Sequence, residues 1–171
     1  MIIASFDLAT KTGLAVGHIG TNSGPLLESH KLGSIGNQGA IFLDMWRLAK
    51  RIITEHEPEL ISFEAPIAAG PAGTIQRVQV GFGLRSSLLA VAALYNVPTE
   101  EHSVSSIRKH FIGTGKSRSR KETKAMVVAR CNQLGWKTTD DNEADAAAVW
   151  EFTRSKRGHF TPQMGGLFDV A

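Results

Sequence analysis

Three short β-type runs precede any helical pattern in this sequence, and that order limits the possible folds more than any other feature. The runs occupy residues 2–6, 14–19 and 26–32, and glycine, threonine, asparagine, serine and proline separate them. These residue types favour tight connections between strands, so the simplest interpretation is an antiparallel meander. The chain is therefore predicted to begin with the antiparallel part of a sheet.

Helical and β-type segments alternate along the rest of the chain. Apolar residues recur at helical spacing in two long segments, and three shorter helices are predicted after them. The predicted helices span residues 41–56, 75–95, 105–111, 121–134 and 142–154. Two more strands are predicted at 60–64 and 97–102. This order indicates an α/β fold with a mixed five-stranded sheet, three antiparallel strands followed by two parallel ones, flanked by helices.

The chain has 171 residues, 42% of them hydrophobic, which is enough for one domain with a core of its own and short for two. We predict a single domain over residues 1–155 and an irregular, basic, glycine-containing tail over 156–171. No apolar stretch is long enough to span a bilayer, so a soluble, cytoplasmic protein is expected. The single cysteine, Cys131, excludes an internal disulfide and a cysteine-rich zinc site.

Basic residues are concentrated between positions 108 and 130, although the formal net charge is only +3. This segment contains one acid, Glu122, and eight basic residues. The eight are Arg108, Lys109, Lys116, Arg118, Arg120, Lys121, Lys124 and Arg130. Such a cluster beside glycines is typical of a surface that binds a phosphate backbone. A solvated basic helix with a flexible loop before it is equally compatible with the segment.

Two acidic side chains are predicted to meet at the ends of adjacent strands. Asp7 follows the first apolar run, and Glu64 ends the run at 60–64. A strand–helix–strand crossover tends to return beside the strand where the sheet began, which makes these two runs neighbours. Two adjacent carboxylates repel each other and raise each other's pKa, and a divalent cation between them would compensate.

A third source of acidic groups is the start of the last predicted helix. Asp141 and Asp145 lie four residues apart on one face of this helix, and Asn142 is within reach of that face. Asp140 and Glu143 fit a capping box, which accounts for acids in the first turn. Capping does not explain Asp145, which alanines surround. Because small neighbours allow close packing on a sheet, Asp145 is predicted to point into the protein and to need a partner there.

Three carboxylates from two strand ends and one helix suit Mg²⁺ or Mn²⁺. These ions prefer oxygen ligands and keep coordination positions open for water and phosphate. Two such ions in one site can activate a water molecule and stabilise the leaving oxygen of a phosphodiester. The acids therefore indicate phosphodiester hydrolysis, with Asp7 at a strand end because there it faces both other carboxylates.

Four motifs, in this order, resemble those of the RuvC-like Holliday junction resolvases of the ribonuclease H-like superfamily. They are FDLATKTG (6–13), ISFEAP (61–66), HSVSSIRKHFIGTGKSRSRK (102–121) and NEADAAAVW (142–150). The resemblance extends along most of the chain and implies a ribonuclease H-like fold. It also implies that Asp7, Glu64 and Asp145 are metal ligands. Arg108 and Lys121 are implied to lie near the scissile phosphate.

The resemblance implies a function as well. Proteins of this family are metal-dependent, structure-selective endonucleases that resolve four-way DNA junctions in recombination and repair. A homodimer with two Mg²⁺ or Mn²⁺ ions per site is expected, without a nucleotide cofactor or a membrane partner. By family analogy, helix 75–95 and the loop before it form the dimer surface. The expected DNA-binding residues are Arg108, Lys109, Lys116, Arg118, Arg120, Lys121 and Lys124.

The sequence departs from the family pattern at two places. Many members have an acid or a histidine where this chain has Asn142, which could coordinate through its amide oxygen, or Asp141 could take over as a catalytic acid. The loop after Glu64 has no aromatic residue that could stack on unpaired bases, so strict selectivity for four-way junctions is not implied. Two alternatives stay open: a non-catalytic module that binds branched DNA, and a nuclease of the same fold that acts on flaps, RNA or RNA–DNA hybrids.

Overall fold

The computed structural model describes residues 1–21, 23–33, 37–66, 75–114 and 119–157. The strands in these ranges are β1 (Ile2–Asp7), β2 (Lys11–His18), β3 (Leu26–Lys31), β4 (Leu60–Glu64) and β5 (Thr99–His102). They form one sheet in the order β3-β2-β1-β4-β5. The first three strands pair antiparallel, and β4 and β5 continue the sheet parallel to β1. The predicted mixed five-stranded sheet is confirmed.

The described ranges also contain the five predicted helices, with ends displaced by a few residues. They are α1 (Gln38–His56), α2 (Ile75–Leu94), α3 (Val104–Ile112), α4 (Arg120–Gln133) and α5 (Asp141–Arg157). None of these helices has the length and apolar character needed to cross a membrane.

The last helix extends beyond its predicted end near Arg154. Lys156 and Arg157 continue α5, where an irregular tail was predicted to begin. The guanidinium of Arg157 donates to Glu100 of β5 at 2.6 Å, and Nζ of Lys156 lies 3.7 Å from the same carboxylate. These ion pairs join the final turn to the edge strand, and no local pattern in the sequence indicates them. The rest of the predicted tail, 158–171, lies outside the described residues.

The side chains of the sheet alternate between two helical layers. Phe6 and Phe63 are buried with α1 and α2 on one face, and α3, α4 and α5 cover the other face. Successive residues of a strand point to opposite faces, so the residue that follows each of these phenylalanines faces α5. Those two residues are Asp7 and Glu64.

Candidate active site

Asp7 and Glu64 are the last residues of two neighbouring parallel strands. The residues before them are register partners, so the two acids end β1 and β4 side by side. Two positions further in, the hydroxyl oxygens of Ser5 and Ser62 form a buried hydrogen bond of 2.6 Å between the same strands. The adjacency predicted from the crossover is therefore present, and both acids are half-buried.

The first turn of α5 lies directly against β2 at Gly13. Gly13 is the register partner of Asp7, and a Cβ atom at this glycine would lie 1.9 Å from the backbone oxygen of Asn142. Only glycine leaves room for the helix here. The alanines that flank Asp145 are buried, which agrees with close packing of α5 on the sheet. Asp145 is thereby carried to the face on which Asp7 lies.

Burial perturbs all three carboxyl groups, and repulsion between carboxylates adds to the effect for two of them. Burial raises the pKa of Asp7 well above its usual range, and Asp145 and Glu64 add to the effect. Burial and the charge of Asp145 raise the pKa of Glu64 to about 7. Burial also raises the pKa of Asp145. The structure thus brings the three predicted acids into one electrostatic cluster, in which a cation would relieve the repulsion.

Basic side chains from two helices adjoin this cluster. Arg108 of α3, with Arg120 and Lys124 of α4, partly offsets the effect of burial on the pKa of the three acids. Lys109 and Lys121 are exposed on the same two helices. Part of the predicted basic segment therefore lies beside the acids, and part of it faces solvent.

The other predicted site residues are placed differently. Lys116 and Arg118 lie outside the described residues. The carboxylate of Asp141 forms an ion pair with Nζ of Lys124, whereas the backbone oxygen of Asn142 faces the glycine of β2. Coordination of a metal by Asn142 and its replacement by Asp141 stay predictions.

The predicted capping box of α5 is present in altered form. Oδ1 of Asp140 accepts hydrogen bonds of 2.9 Å from the amides of Asn142 and Glu143. The carboxylate of Glu143 accepts from the amide and hydroxyl of Thr139, at 2.6 and 2.7 Å, and not from the amide of Asp140. Burial favours a higher pKa for Asp140, but hydrogen bonds from side chains of β2 and β3 and from the Glu143 amide hold it well below its usual range.

Sequence reasoning missed His102, the last residue of β5. This histidine is buried and is the register partner of Glu64. The hydroxyl of Thr153 donates to the backbone oxygen of Val149 at 2.8 Å, so it accepts from Nε2 of His102, 3.0 Å away. Burial lowers the pKa of His102, which keeps the ring neutral at pH 7. His102 begins one of the four motifs that carry the resemblance, but the run VPTEEH assigns it no role, because its position depends on strand pairing.

The donor atoms of the carboxylate cluster suit a divalent cation, but the side chains are not arranged around a common point. Within the described residues, no group of three or more His, Cys, Asp and Glu side chains is arranged so that it could hold a metal ion. Asp7, Glu64 and Asp145 nevertheless supply the oxygen donors that Mg²⁺ and Mn²⁺ prefer. Burial raises the pKa of all three, and repulsion from neighbouring carboxylates raises the pKa of Asp7 and Glu64 further. To bind an ion, the three side chains would need to turn toward a common point.

The metal-free protein is expected to lose stability as the pH rises from about 4.5 to 7. In this range the three acids bind more protons in the folded protein than in the unfolded chain, because their pKa values are raised, so their contribution to the free energy of unfolding falls with pH. His102 and His110, whose pKa values burial lowers, contribute in the opposite direction. For Glu64, whose pKa rises from 4.5 to about 7, the loss is at most about 3 kcal/mol. Urea titrations with EDTA at pH 5 and pH 8 measure it.

Two comparisons control this measurement. The Glu64→Gln variant should show a smaller difference between the two pH values, because it lacks the titrating group. Mg²⁺ added at pH 8 should restore much of the lost stability of the wild type. Equal stability of the metal-free wild type at pH 5 and pH 8 would contradict the prediction.

The fold is shared with solved structures, although no protein-family model and no curated protein matches the chain. RuvC from Thermus thermophilus has a TM-score of 0.67 at 19% identity, over 92% of this chain and 96% of that chain. In the complex of T. thermophilus RuvC with a Holliday junction substrate, the TM-score is 0.72 at 18% identity, over 92% and 95% of the two chains.

A eukaryotic protein has the same fold. The yeast mitochondrial Holliday junction resolvase Ydc2 gives a TM-score of 0.59 at 13% identity, over 92% of this chain and 80% of that chain. At such identities the likeness is one of fold. It confirms the predicted ribonuclease H-like architecture of the RuvC type.

Proposed function

We propose that this protein is a divalent-metal-dependent endonuclease that resolves four-way DNA junctions by hydrolysing phosphodiester bonds. One observation carries the proposal: on a fold shared with Holliday junction resolvases, Asp7, Glu64 and Asp145 repel one another at the ends of two inner strands, beside cations of α3 and α4. Clustered carboxylates would repel a phosphodiester unless divalent cations balanced their charge. The expected setting is the cytoplasm, on branched DNA of recombination or repair.

The three carboxylates would hold Mg²⁺ or Mn²⁺, two ions per site, and the amide oxygen of Asn142 would serve as a further ligand. When bound, such ions lower the pKa of a water molecule and neutralise charge on the phosphate. Asp7 would be the acid shared with both other ligands, because Asp145 and Glu64 each add to the effect of burial on its pKa. Asp7 and Glu64 are half-buried at strand ends and Asp145 is half-buried on α5, so a limited turn of each side chain toward a common point would suffice to bind the ions.

Arg108 and Lys124 would contact the phosphate oxygens beside the scissile bond. The resemblance implies Lys121 for this role, and that assignment stays a prediction; Lys124 is added because it lies closer to the acids. The side chains of Arg108 and Lys124 are half-buried next to the acids. Their positive charges would therefore attract the DNA backbone to a position beside the carboxylates. The ion pair of Lys124 with Asp141 would hold this lysine in place before DNA arrives. Asp141 stays the alternative acid of the site, and in that role it would have to release Lys124.

Exposed lysines on α3 and α4 would bind the phosphate backbone away from the site. The variant Lys121→Gln should weaken binding to junction and duplex alike, and it should reduce the slope of log affinity against log salt by about 1. Fluorescence anisotropy across a series of KCl concentrations measures both quantities. Lys50→Gln, on α1 behind the opposite face of the sheet, is the matched control, and an equal effect of both variants would contradict a DNA surface on α4.

A homodimer through α2 would place two sites on opposing strands of one junction. Ile75, Phe82 and Leu94 on this helix have 78%, 41% and 64% of their surface exposed. Large apolar side chains exposed along one helix suit contact with a second copy. Paired cuts, symmetrical across the junction, would be the signature of such an assembly.

Cleavage of end-labelled substrates tests the proposed function. A four-way junction, a linear duplex, a flap and an RNA–DNA hybrid are incubated with the protein in Mg²⁺, in Mn²⁺ and in EDTA. Symmetrical cuts in the junction that need a divalent cation are expected. Salt-dependent binding without a cut in either metal would favour the non-catalytic module, and faster cutting of flap or hybrid would overturn the junction as substrate.

A further inference from the structure

A row of paired residues crosses the sheet beneath the first turn of α5. Ser29 of β3 pairs with Gly13 of β2, and Gly13 pairs with Asp7 of β1. Register partners lie side by side on one face of a sheet, so all three face α5. The helix contacts this row twice. The backbone oxygen of Asn142 lies against Gly13, and Oδ2 of Asp140 accepts a hydrogen bond of 2.7 Å from the Ser29 hydroxyl.

Asp140 connects the sheet to the helix through both of its carboxylate oxygens. Oδ1 caps α5 by accepting from the amides of Asn142 and Glu143. Oδ2 accepts from Ser29 and lies 2.6 Å from Nζ of Lys11, which belongs to β2. The side chain is only 17% exposed, and charge-assisted hydrogen bonds of this kind are stronger than neutral ones. One carboxylate therefore ties the start of α5 to two strands.

Asp145 lies five residues after Asp140, about 7 Å further along the helix axis. A capped first turn is rigid, so a shift of that turn would move Asp145 relative to Asp7 and Glu64. We propose that Asp140 is a positioning residue of the active site, which fixes α5 on the sheet where Asp145 meets the two strand-end carboxylates. This inference rests on the proposed nuclease function, because it concerns the metal site of that function.

Two measurements on the Asp140→Ala variant test the inference. One is the single-turnover rate of cleavage of a saturating four-way junction in Mg²⁺, and the other is the affinity for Mn²⁺ without DNA, measured by electron paramagnetic resonance. The variant removes no proposed ligand, yet it releases the first turn of α5, so rate and affinity should each fall about tenfold. Both are measured well below the unfolding transition. Ser29→Ala, which keeps the cap and removes one bond to the sheet, should lower both by a smaller factor.

Asn37→Ala is the matched control. Asn37 caps α1 in the same way, because its side chain accepts from the amide of Ala40 at 3.0 Å, and none of the proposed site residues belongs to α1. This variant should lower the melting temperature and leave the rate and the Mn²⁺ affinity unchanged. If Asp140→Ala behaved like Asn37→Ala, with a lower melting temperature only, the positioning role would be overturned and Asp140 would be an ordinary cap.

The two readouts also separate this inference from the proposed function. If the wild type binds Mn²⁺ but cuts no DNA, the nuclease proposal fails, and the Mn²⁺ affinity of Asp140→Ala still decides the positioning role. If the wild type cuts junctions and Asp140→Ala cuts them at the same rate, only the positioning role fails. If the wild type neither cuts nor binds Mn²⁺, both proposals are overturned.

Discussion

The Asp7→Asn variant is expected to cut four-way junctions at least about a hundredfold more slowly than the wild type. At pH 8 and in the absence of metal, its free energy of unfolding is expected to exceed that of the wild type. The rate falls because one of the three proposed ion ligands loses its charge. Stability rises because burial, Asp145 and Glu64 disfavour the ionised form of Asp7 in the folded protein, and asparagine removes that cost. A substitution that stabilises the protein while it lowers activity is typical of a functional site.

Cleavage time courses and urea unfolding in EDTA measure the two effects. Glu55→Gln is the control, because Glu55 is an exposed acid on α1 that pairs with Arg51 at 3.1 Å. This control should change the free energy of unfolding by less than about 0.5 kcal/mol and should leave cleavage unaltered. The interpretation is wrong if Asp7→Asn cuts at the wild-type rate, or if it is less stable than the wild type at pH 8.

The Gly13→Ala variant is expected to lose both stability and activity. Its Cβ would lie 1.9 Å from the backbone oxygen of Asn142 and 2.4 Å from the carbon of the same carbonyl group, so α5 must move away from β2. Overpacking of this kind costs about 1–3 kcal/mol and sometimes more. Because the displaced turn precedes Asp145, we expect cleavage to fall by a larger factor than the loss of folded protein explains.

Thermal melting and single-turnover cleavage at 25 °C measure the two losses. Gly39→Ala is the matched control, since its Cβ would lie 3.5 Å from Oδ1 of Asn37, an ordinary van der Waals contact, and alanine is favoured over glycine inside a helix. This control should melt at or above the wild-type temperature. A Gly13→Ala protein that melts and cuts like the wild type would show that α5 does not need this close approach.

Much of the fold follows from local patterns. Three early β-type runs predict the antiparallel half of the sheet, and the alternation of strands and helices predicts the parallel half. The crossover rule places Asp7 beside Glu64, and the alanines around Asp145 predict that this acid faces the sheet. These inferences hold because periodicity and residue size act within one element or between sequential elements.

Contacts between distant parts of the chain could not be predicted in this way. The ion pair of Lys124 with Asp141, the burial of His102 beside Glu64 and the last turn of α5 all depend on which elements become neighbours. Lys121 and Lys124 belong to the same helix, yet Lys121 is exposed and Lys124 is half-buried. Composition alone is compatible with either position for each lysine, and the packing of α4 decides between them.

The sequence by itself determined which segments become strands or helices along the chain and on which face of its element each acid lies. Both properties depend on periods of two or 3.6 residues. Only the tertiary structure decided how far along the sheet α5 is seated, and hence where Asp145 stands relative to Asp7. That position depends on contacts between residues more than 100 positions apart, Gly13 with Asn142 and Ser29 with Asp140. Steric exclusion and hydrogen-bond geometry set such contacts, and no local period records them.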